Sequence, residues 1–183
     1  MNQETVTSVI KFWFAEETKP LWFNSSPGFD AQLKERFLTT YQDAAQDNLE
    51  AWESTAEGAL ALVIILDQFP LNMFRGQKAS FATEVKSREV AKRALTHHFD
   101  SQLSNEQKIF LYMPFMHSES LEDQDRSLAL FKAAGLKDNL KFAQHHREIV
   151  KRFGRFPHRN QILGRESTQE EIDWLASDEG FKG

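Results

Sequence analysis

The chain has 183 residues, of which 40% are hydrophobic and 27% charged, and its formal net charge is −5. This length fits one domain, residues 1–183, which buries about 70% of the surface that the unfolded chain exposes. The absence of cysteine excludes disulfides, zinc–thiolate sites and cysteine nucleophiles. There is no signal-peptide pattern, and the longest apolar run, Ala59 to Leu66, is too short to cross a membrane. We therefore expect a soluble, cytoplasmic protein with no membrane partner.

Charge is distributed unevenly along the chain. Between Lys141 and Arg165 there are seven Lys or Arg and one acid, Glu148, so this segment carries +6 and the remainder −11. The acidic remainder argues against nucleic acid as a general partner. A basic segment in an acidic protein instead suggests an anionic ligand or an acidic partner within the chain.

Hydrophobic residues recur at helical spacing along most of the chain, beginning with residues 6–13. Asp30 is the predicted N-cap of a second helix. Capping boxes, in which an N-cap Ser is followed three residues later by Glu or Gln, predict helix starts at Ser54, Ser104 and Ser167. The apolar run after the first box could be a buried strand by composition alone, but its length and cap favour a central buried helix.

Proline and glycine mark the predicted helix ends. Pro70 should stop the third helix, and Pro114 should end or kink the fifth, because proline lacks the backbone N–H that a helix needs. Gly135 and Gly154 are the predicted C′ residues of the sixth and seventh helices. We therefore predict an all-α protein of about eight helices, and the short connections indicate that consecutive helices lie antiparallel.

Polar residues concentrate in three short segments. The first, residues 66–76, places Asp67 and Gln68 at the end of the most buried helix, with Asn72 and Arg75 following. If the proline stops the helix there, the last carbonyls need donors, and an aspartate at a helix C-terminus is unfavourable. Asn72 and Arg75 therefore either supply the missing contacts or bind a ligand.

The second segment, residues 113–119, ends with His117 and Glu119, just before an acidic stretch typical of the first turn of a helix. A histidine beside a carboxylate is suited to general acid–base catalysis or to metal ligation. His145 is a further candidate for such a group. Its neighbour His146 lies on the apolar stripe of the seventh helix and is predicted to be a core residue.

The third segment follows the seventh helix and alternates cationic with aromatic residues. Its polar members are Arg152, Arg155, His158, Arg159 and Asn160. Arginine makes planar two-pronged contacts with carboxylates and phosphates. These residues could bind an anionic small molecule or peptide carboxylate, or they could cap helices and pair with Asp67 and Glu119. A nucleic-acid platform is a third interpretation, which the acidic remainder of the chain disfavours.

The three segments together resemble the signature blocks of the DUF924 family of uncharacterised proteins. The blocks are DQFP at residues 67–70, PFMHSE at 114–119 and RFGRFPHRN at 152–160, and FWF at 12–14 also looks like the family. The resemblance covers nearly the whole chain and implies a fold similar to tetratricopeptide repeats, with antiparallel helix hairpins stacked in an array. It implies no activity. The family usually has Arg after the proline of the first block, where this chain has Leu71 and therefore lacks that positive charge.

Three functions compete on these observations. The first is a helical-repeat-like binding protein for an anionic small molecule or peptide group. The second is an enzyme of hydrolase type, metal-dependent or acid–base, that uses His117, Glu119 and His145. The third is a structural polar network with partners bound elsewhere.

We predict that the three segments meet in space, and we predict no cofactor and no structural metal. The predicted ligand-binding residues are Asp67, Gln68, Asn72, Arg75, His117, Glu119, Arg152, Arg155, His158, Arg159 and Asn160. The pattern leaves open both catalysis and the oligomeric state.

Overall fold

Helices make up the regular structure of this chain in a computed structural model, which describes residues 4–178 and 180. The chain is 74% helical and no strand occurs among the described residues, which confirms the all-α class. The helices are α1 (Val6–Trp13), α2 (Pro27–Ala45), α3 (Ala56–Val63), α4 (Phe69–Met73), α5 (Glu84–Thr96), α6 (Asn105–Met116), α7 (Leu121–Ala133), α8 (Lys137–Phe153), α9 (Asn160–Leu163) and α10 (Gln169–Ala176). The short α4 and α9 were not predicted, because neither is long enough to show a helical period of its own. The tetratricopeptide-like stacking stays a prediction.

The chain divides into two compact units. The first comprises residues up to Arg75 together with Ala79–Pro114, and the second comprises Gly76–Lys78 together with the residues from Phe115 onward. The single domain predicted for residues 1–183 stays a prediction.

Aromatic rings fill the core of the first unit. The Phe37 ring lies 4.9 Å from Phe12 and 4.8 Å from Phe69, and the Trp13 ring lies 5.5 Å from Phe110, centroid to centroid. Tilted and edge-to-face contacts of this kind each contribute about 0.5–1.5 kcal/mol beyond the burial of apolar area. The high phenylalanine content of the sequence is therefore used in packing.

The predicted central buried helix is confirmed as α3 and the π-helical turn, Ile64–Gln68, that continues it. Every residue from Ala59 to Leu66 is buried. By length and composition the stretch Ala56–Met73 could cross a membrane, with a mean hydropathy of 1.2, but 89% of it is buried inside the protein. That burial is what the core helix of a folded unit requires.

Three predicted helix starts are wrong by a few residues. The N-cap of α2 is Ser26 and not Asp30, because Pro27 has its φ preset for the first helical position. The N-caps of α3 and α10 are Thr55 and Thr168, where Ser54 and Ser167 were predicted. In both cases a Ser–Thr pair offers two hydroxyls, and the second residue has the extended backbone that an N-cap needs.

Three predicted helix ends and one predicted cap can be compared directly with the structure. The Ser104 box is confirmed, since Ser104 and Gln107 exchange hydrogen bonds between side chain and backbone. Gly135 and Gly154 follow α7 and α8 in the left-handed conformation, with φ of 69° and 71°. Pro114, by contrast, does not end its helix, because α6 continues to Met116.

Pro70 does not stop the third helix either. The chain passes through the π-helical turn into α4, which has Pro70 in its first turn, where a missing N–H is tolerated. In an α-helix the Leu66 carbonyl would accept a hydrogen bond from residue 70, which has no N–H to donate. The buried hydroxyl of Thr83 donates to that carbonyl instead, at 2.6 Å. A tertiary contact thus replaces the helical one.

We expect Thr83→Val to lower the free energy of unfolding by about 1–3 kcal/mol, because it removes the donor from a buried carbonyl and keeps the side-chain shape. Chemical denaturation measures this loss. Thr96→Val is the matched control, since its exposed hydroxyl only donates to Lys92 within the same helix, and its effect should stay within about 0.5 kcal/mol. Equal effects of the two substitutions would contradict the role assigned to Thr83.

Candidate functional site

The first predicted segment places two polar side chains in the π-helical turn of the first unit. Asp67 and Gln68 are both buried. The Gln68 amide nitrogen donates to Asp67 Oδ2 at 2.6 Å and lies 3.4 Å from the sulfur of Met113. A π-helical turn adds one residue to the helix and is often associated with function.

Asn72 and Arg75 bind a partner that the sequence did not suggest. The Asn72 amide donates to Asp30 Oδ1 and Arg75 Nε donates to Asp30 Oδ2, each at 2.8 Å, and Arg75 also donates to Ser25. Burial opposes ionisation of Asp30, but the hydrogen bonds from Arg75, Asn72 and Ser25 outweigh it and hold the pKa of this carboxyl below its usual value. Asn72 and Arg75 thus bind Asp30, and the Leu66 carbonyl receives its hydrogen bond from Thr83.

In the second unit the second and third segments come together at Glu119. One carboxylate oxygen accepts the backbone N–H of Phe156 at 2.8 Å, and the two oxygens accept from Arg165 at 2.8 and 2.9 Å. Burial favours the protonated form of Glu119, but Arg165 and the Phe156 N–H reverse this, and the pKa lies below its usual value. The arginine that pairs with Glu119 is thus Arg165, which was not among the predicted site residues. The meeting of the first segment with the other two stays a prediction.

Arg155 and Asn160 are bound to a buried acid of α10. Arg155 donates to both oxygens of Glu171, at 2.7 and 2.8 Å, and the buried Asn160 amide donates to Glu171 and to Ser167. The Arg155 hydrogen bonds lower the pKa of Glu171 to about 2. Arg165 Nε donates to Asn160 Oδ1 at 2.9 Å and so joins this group to Glu119. We call these five residues, Glu119, Arg155, Asn160, Arg165 and Glu171, the polar network.

Arg152 lies outside the polar network. Its guanidinium pairs with Glu170 at 2.8 Å, and both side chains are about half exposed or more. An exposed pair of this kind contributes little to stability. Arg152 was predicted as a ligand-binding residue, and its position makes it a suitable control for the others.

Basic side chains surround the ring of Phe156, which is itself fully buried. The Arg159 guanidinium carbon lies 4.6 Å from the ring centroid, and the His146 and His158 rings lie 5.5 and 5.6 Å away. His117 acts electrostatically on both of these histidines. We call His117, His146, His158 and Arg159 the basic cluster. His145 is exposed, with its ring 6.3 Å from that of His146.

Two histidines of the basic cluster, His146 and His158, are held in the neutral state. Burial lowers the pKa of His146 to about 3; the bond to the Phe142 carbonyl opposes this shift, and the neighbouring His117, His145 and His158 add to it. Burial and then the charge of Arg159 lower the pKa of His158 to about 4. The core role predicted for His146 is confirmed. Burial disfavours charge of either sign, so only the smaller contribution of Arg159 to the His158 pKa indicates a positive potential in the cluster.

The metal-binding interpretation gains no support from the side-chain arrangement. Across residues 4–178 and 180, no group of three or more His, Asp and Glu side chains is placed to hold a metal ion. Glu119, one of the predicted ligands, is instead bound by Arg165 and the Phe156 N–H. His117, Glu119 and His145 thus do not form the metal-binding group that the sequence suggested.

The first unit carries a groove of about 710 Å³ that includes none of the predicted site residues. It is lined by Asp47, Glu50, Glu53, Ala82, Val85, Lys86, Glu89 and Arg93. Sequence patterns did not reveal it, because most of its residues are ordinary charged residues that only packing brings together. We call this surface the acidic groove.

The comparisons with other proteins agree with one another on the fold. The DUF924 family, described as bacterial proteins of unknown function, matches residues 9–179. A solved protein of unknown function from Agrobacterium tumefaciens is 39% identical, with a TM-score of 0.88 over 93% of this chain and 96% of that one. No curated protein matches the chain. These proteins share the architecture, and their descriptions assign no activity.

We expect Arg155→Met to lower the free energy of unfolding by about 3–5 kcal/mol, because it leaves the buried Glu171 carboxylate without its main partner. Thermal or urea unfolding without ligand measures the loss. Arg152→Met breaks an exposed pair and should cost less than about 1 kcal/mol. If Arg155→Met were as mild as the control, the polar network would not be a structural element.

Acid should destabilise the protein before its buried carboxylates titrate. In the folded protein His146 and His158 have pKa values below the unfolded value of 6.5. Their contribution to stability is therefore complete above pH 6.5, and it is lost as the pH falls from there towards the folded pKa values. Each neutral histidine contributes a slope of up to about 1.4 kcal/mol per pH unit below pH 6. We expect His146→Gln to reduce this slope between pH 6 and 5. The exposed His97→Gln is the control, and an unchanged slope in His146→Gln would contradict the prediction.

Proposed function

The chain belongs to the DUF924 family, and because that family has no known function we propose one from the side chains themselves. We propose that this protein binds an anionic small molecule or an anionic peptide group at the basic cluster of the second unit. Arg159 would provide the charge, and His117 and His158 would provide ring donors.

One observation carries this proposal. Arg159, His146 and His158 all lie within 5.6 Å of the buried Phe156 ring. A carboxylate in their neighbourhood, Glu119, has its oxygens bound by Arg165 and the Phe156 N–H. The basic groups gathered around this ring would attract an anion.

Burial strengthens the argument for Arg159. Its side chain is only 6% exposed and its guanidinium stacks on Phe156, so its orientation is held by packing. Charge-assisted hydrogen bonds are strong where water is largely excluded. His117 and His158 are partly exposed and would give a ligand access to this part of the unit.

A structural role is the second candidate, and a different observation favours it. Asn72, Arg75, Arg155 and Asn160, four of the predicted ligand-binding residues, are hydrogen-bonded to Asp30 or Glu171. For these residues the structural interpretation is the better one. The proposed binding site is accordingly smaller than the sequence suggested.

The binding proposal is tested by thermal melting in phosphate, sulfate or citrate, each compared with chloride at matched ionic strength. A ligand that binds only the folded state must raise the melting temperature. At a concentration a hundred times its dissociation constant, it stabilises the folded state by about 2.7 kcal/mol. We expect a saturable rise in the unmodified protein that is lost in His158→Gln and in Arg159→Met. Arg152→Met should keep the rise.

The comparison of variants is needed because phosphate and sulfate stabilise most proteins by exclusion from their surfaces. That general effect is not saturable and should be the same in every variant. If none of the three anions gives a saturable rise, or if His158→Gln responds like the unmodified protein, the proposal is wrong. Should Arg159→Met fail to fold, His158→Gln and His117→Gln decide the outcome.

A further inference from the structure

One buried side chain holds the turn between α6 and α7. The amide nitrogen of Gln124 donates to the Met116 carbonyl and to the Ser118 carbonyl, each at 2.7 Å. These two carbonyls lie on either side of His117 in the chain. Gln124 is fully buried, so packing restricts its amide to one orientation, and the backbone on both sides of His117 is fixed with it.

A second set of bonds from α7 holds the same turn. The Ser118 hydroxyl donates to Asp123 Oδ2 at 2.7 Å and accepts the N–H of Ser120 at 3.2 Å. Ser118 and Asp123 are both buried. Residues 117–120 lie outside both helices, yet these bonds tie them to the first turn of α7.

The turn carries one member of the basic cluster and one member of the polar network. His117 acts electrostatically on His146 and His158. Glu119 binds the N–H of Phe156, the residue around whose ring the cluster packs. The position of this turn therefore affects the cluster both directly, through the His117 ring, and indirectly, through the placement of Phe156.

Glutamine at this position has a cost in stability. Among the residues that the structure describes, Gln124 Oε1 has no hydrogen-bond partner. A buried polar atom without a partner destabilises a fold, so packing alone would favour leucine or methionine here. A primary amide, however, supplies two N–H donors without introducing a charge, one for each carbonyl beside His117. The contacts of Gln124 thus indicate that its role is to hold these two carbonyls.

We propose that Gln124 is a positioning residue of the anion site, which orients the His117 ring towards the ligand by fixing the backbone on both sides of it. The inference rests on the binding function proposed for the basic cluster. Because Gln124 is fully buried, it would act through His117 and not by contact with the ligand. The competing interpretation is that Gln124 only caps the C-terminus of α6, where the last carbonyls lack helical donors.

A double-mutant cycle in anion binding, measured by calorimetry, separates these two roles. It uses whichever of sulfate, phosphate and citrate binds the unmodified protein most tightly. Gln124→Met keeps the length of the side chain and removes both donors, and we expect it to raise the dissociation constant about tenfold, as loss of one oriented hydrogen bond to a charged ligand does. His117→Gln removes the ring and should have a similar effect. The double variant should bind as weakly as His117→Gln alone, because no ring remains to be oriented.

Thr83→Val is the stability control. Thr83 lies in the first unit and its loss is expected to destabilise the fold, but it makes no contact with this turn through its bond to the Leu66 carbonyl. Its dissociation constant for the same anion should stay within about twofold of the unmodified value. Circular dichroism checks that each variant is folded under the conditions of the titration. Should Gln124→Met not fold, Ser118→Ala takes its place in the cycle, since it removes the bond to Asp123 and leaves Gln124 intact.

Three results would overturn the inference. Gln124→Met could bind the anion as tightly as the unmodified protein, which would make Gln124 a helix cap and leave the proposed function intact. The effects of Gln124→Met and His117→Gln could multiply in the double variant, which would show that Gln124 acts independently of His117. None of the three anions could bind the unmodified protein, which would contradict the proposed function and this inference with it.

Discussion

The Glu119 carboxylate organises the second unit, because it binds the backbone of the loop that carries Phe156. It accepts the Phe156 N–H, and Arg165, which it also binds, donates in turn to the Phe156 carbonyl and to Asn160. A partly buried carboxylate is tolerated only when its oxygens are paired, so the loop has little freedom to adopt another conformation. The Phe156 ring is placed by these bonds, and the basic cluster packs around that ring.

The polar network and the basic cluster therefore have different physical roles. In the network every charge faces an opposite charge, as Arg155 does with Glu171, and the result is rigidity. In the cluster, burial in the first place and neighbouring basic groups in the second keep His146 and His158 neutral. The network holds the cluster in a geometry that it would not adopt alone. Such preorganisation is what a binding site for a small anion requires.

In the first unit, a buried helix continues past a proline. The π-helical turn, Ile64–Gln68, accommodates an extra residue, and Thr83 provides the hydrogen bond that Pro70 does not. Asp67 and Gln68 are carried into the core by this turn, and the short hydrogen bond between their side chains reduces the cost of burying them. At 39% identity the Agrobacterium protein has a similar fold, so the architecture extends beyond this chain.

The sequence by itself determined the helical class, most of the helices and the segments in which buried polar groups occur. These features depend on local patterns: the apolar stripes, the capping boxes and the glycines after α7 and α8 act within a few residues. The errors at Ser54 and Ser167 arose where two adjacent residues could both cap and the backbone conformation selected the second, whereas at Asp30 the helix begins four residues earlier because Pro27 favours the first helical position.

Tertiary structure decided the partner of each polar side chain. Asp30 lies 42 residues from Asn72, Glu119 lies 46 from Arg165, and Thr83 lies 17 from Leu66. Charge and residue type made Arg155, Arg159 and Arg165 equally plausible partners for Glu119, and only packing distinguished them. Thr83 carried no signal at all, because a hydroxyl that bonds a distant carbonyl looks the same in the sequence as one exposed to water. A hydrogen bond depends on distances of a few tenths of an ångström, and such distances are set by the packing of whole helices.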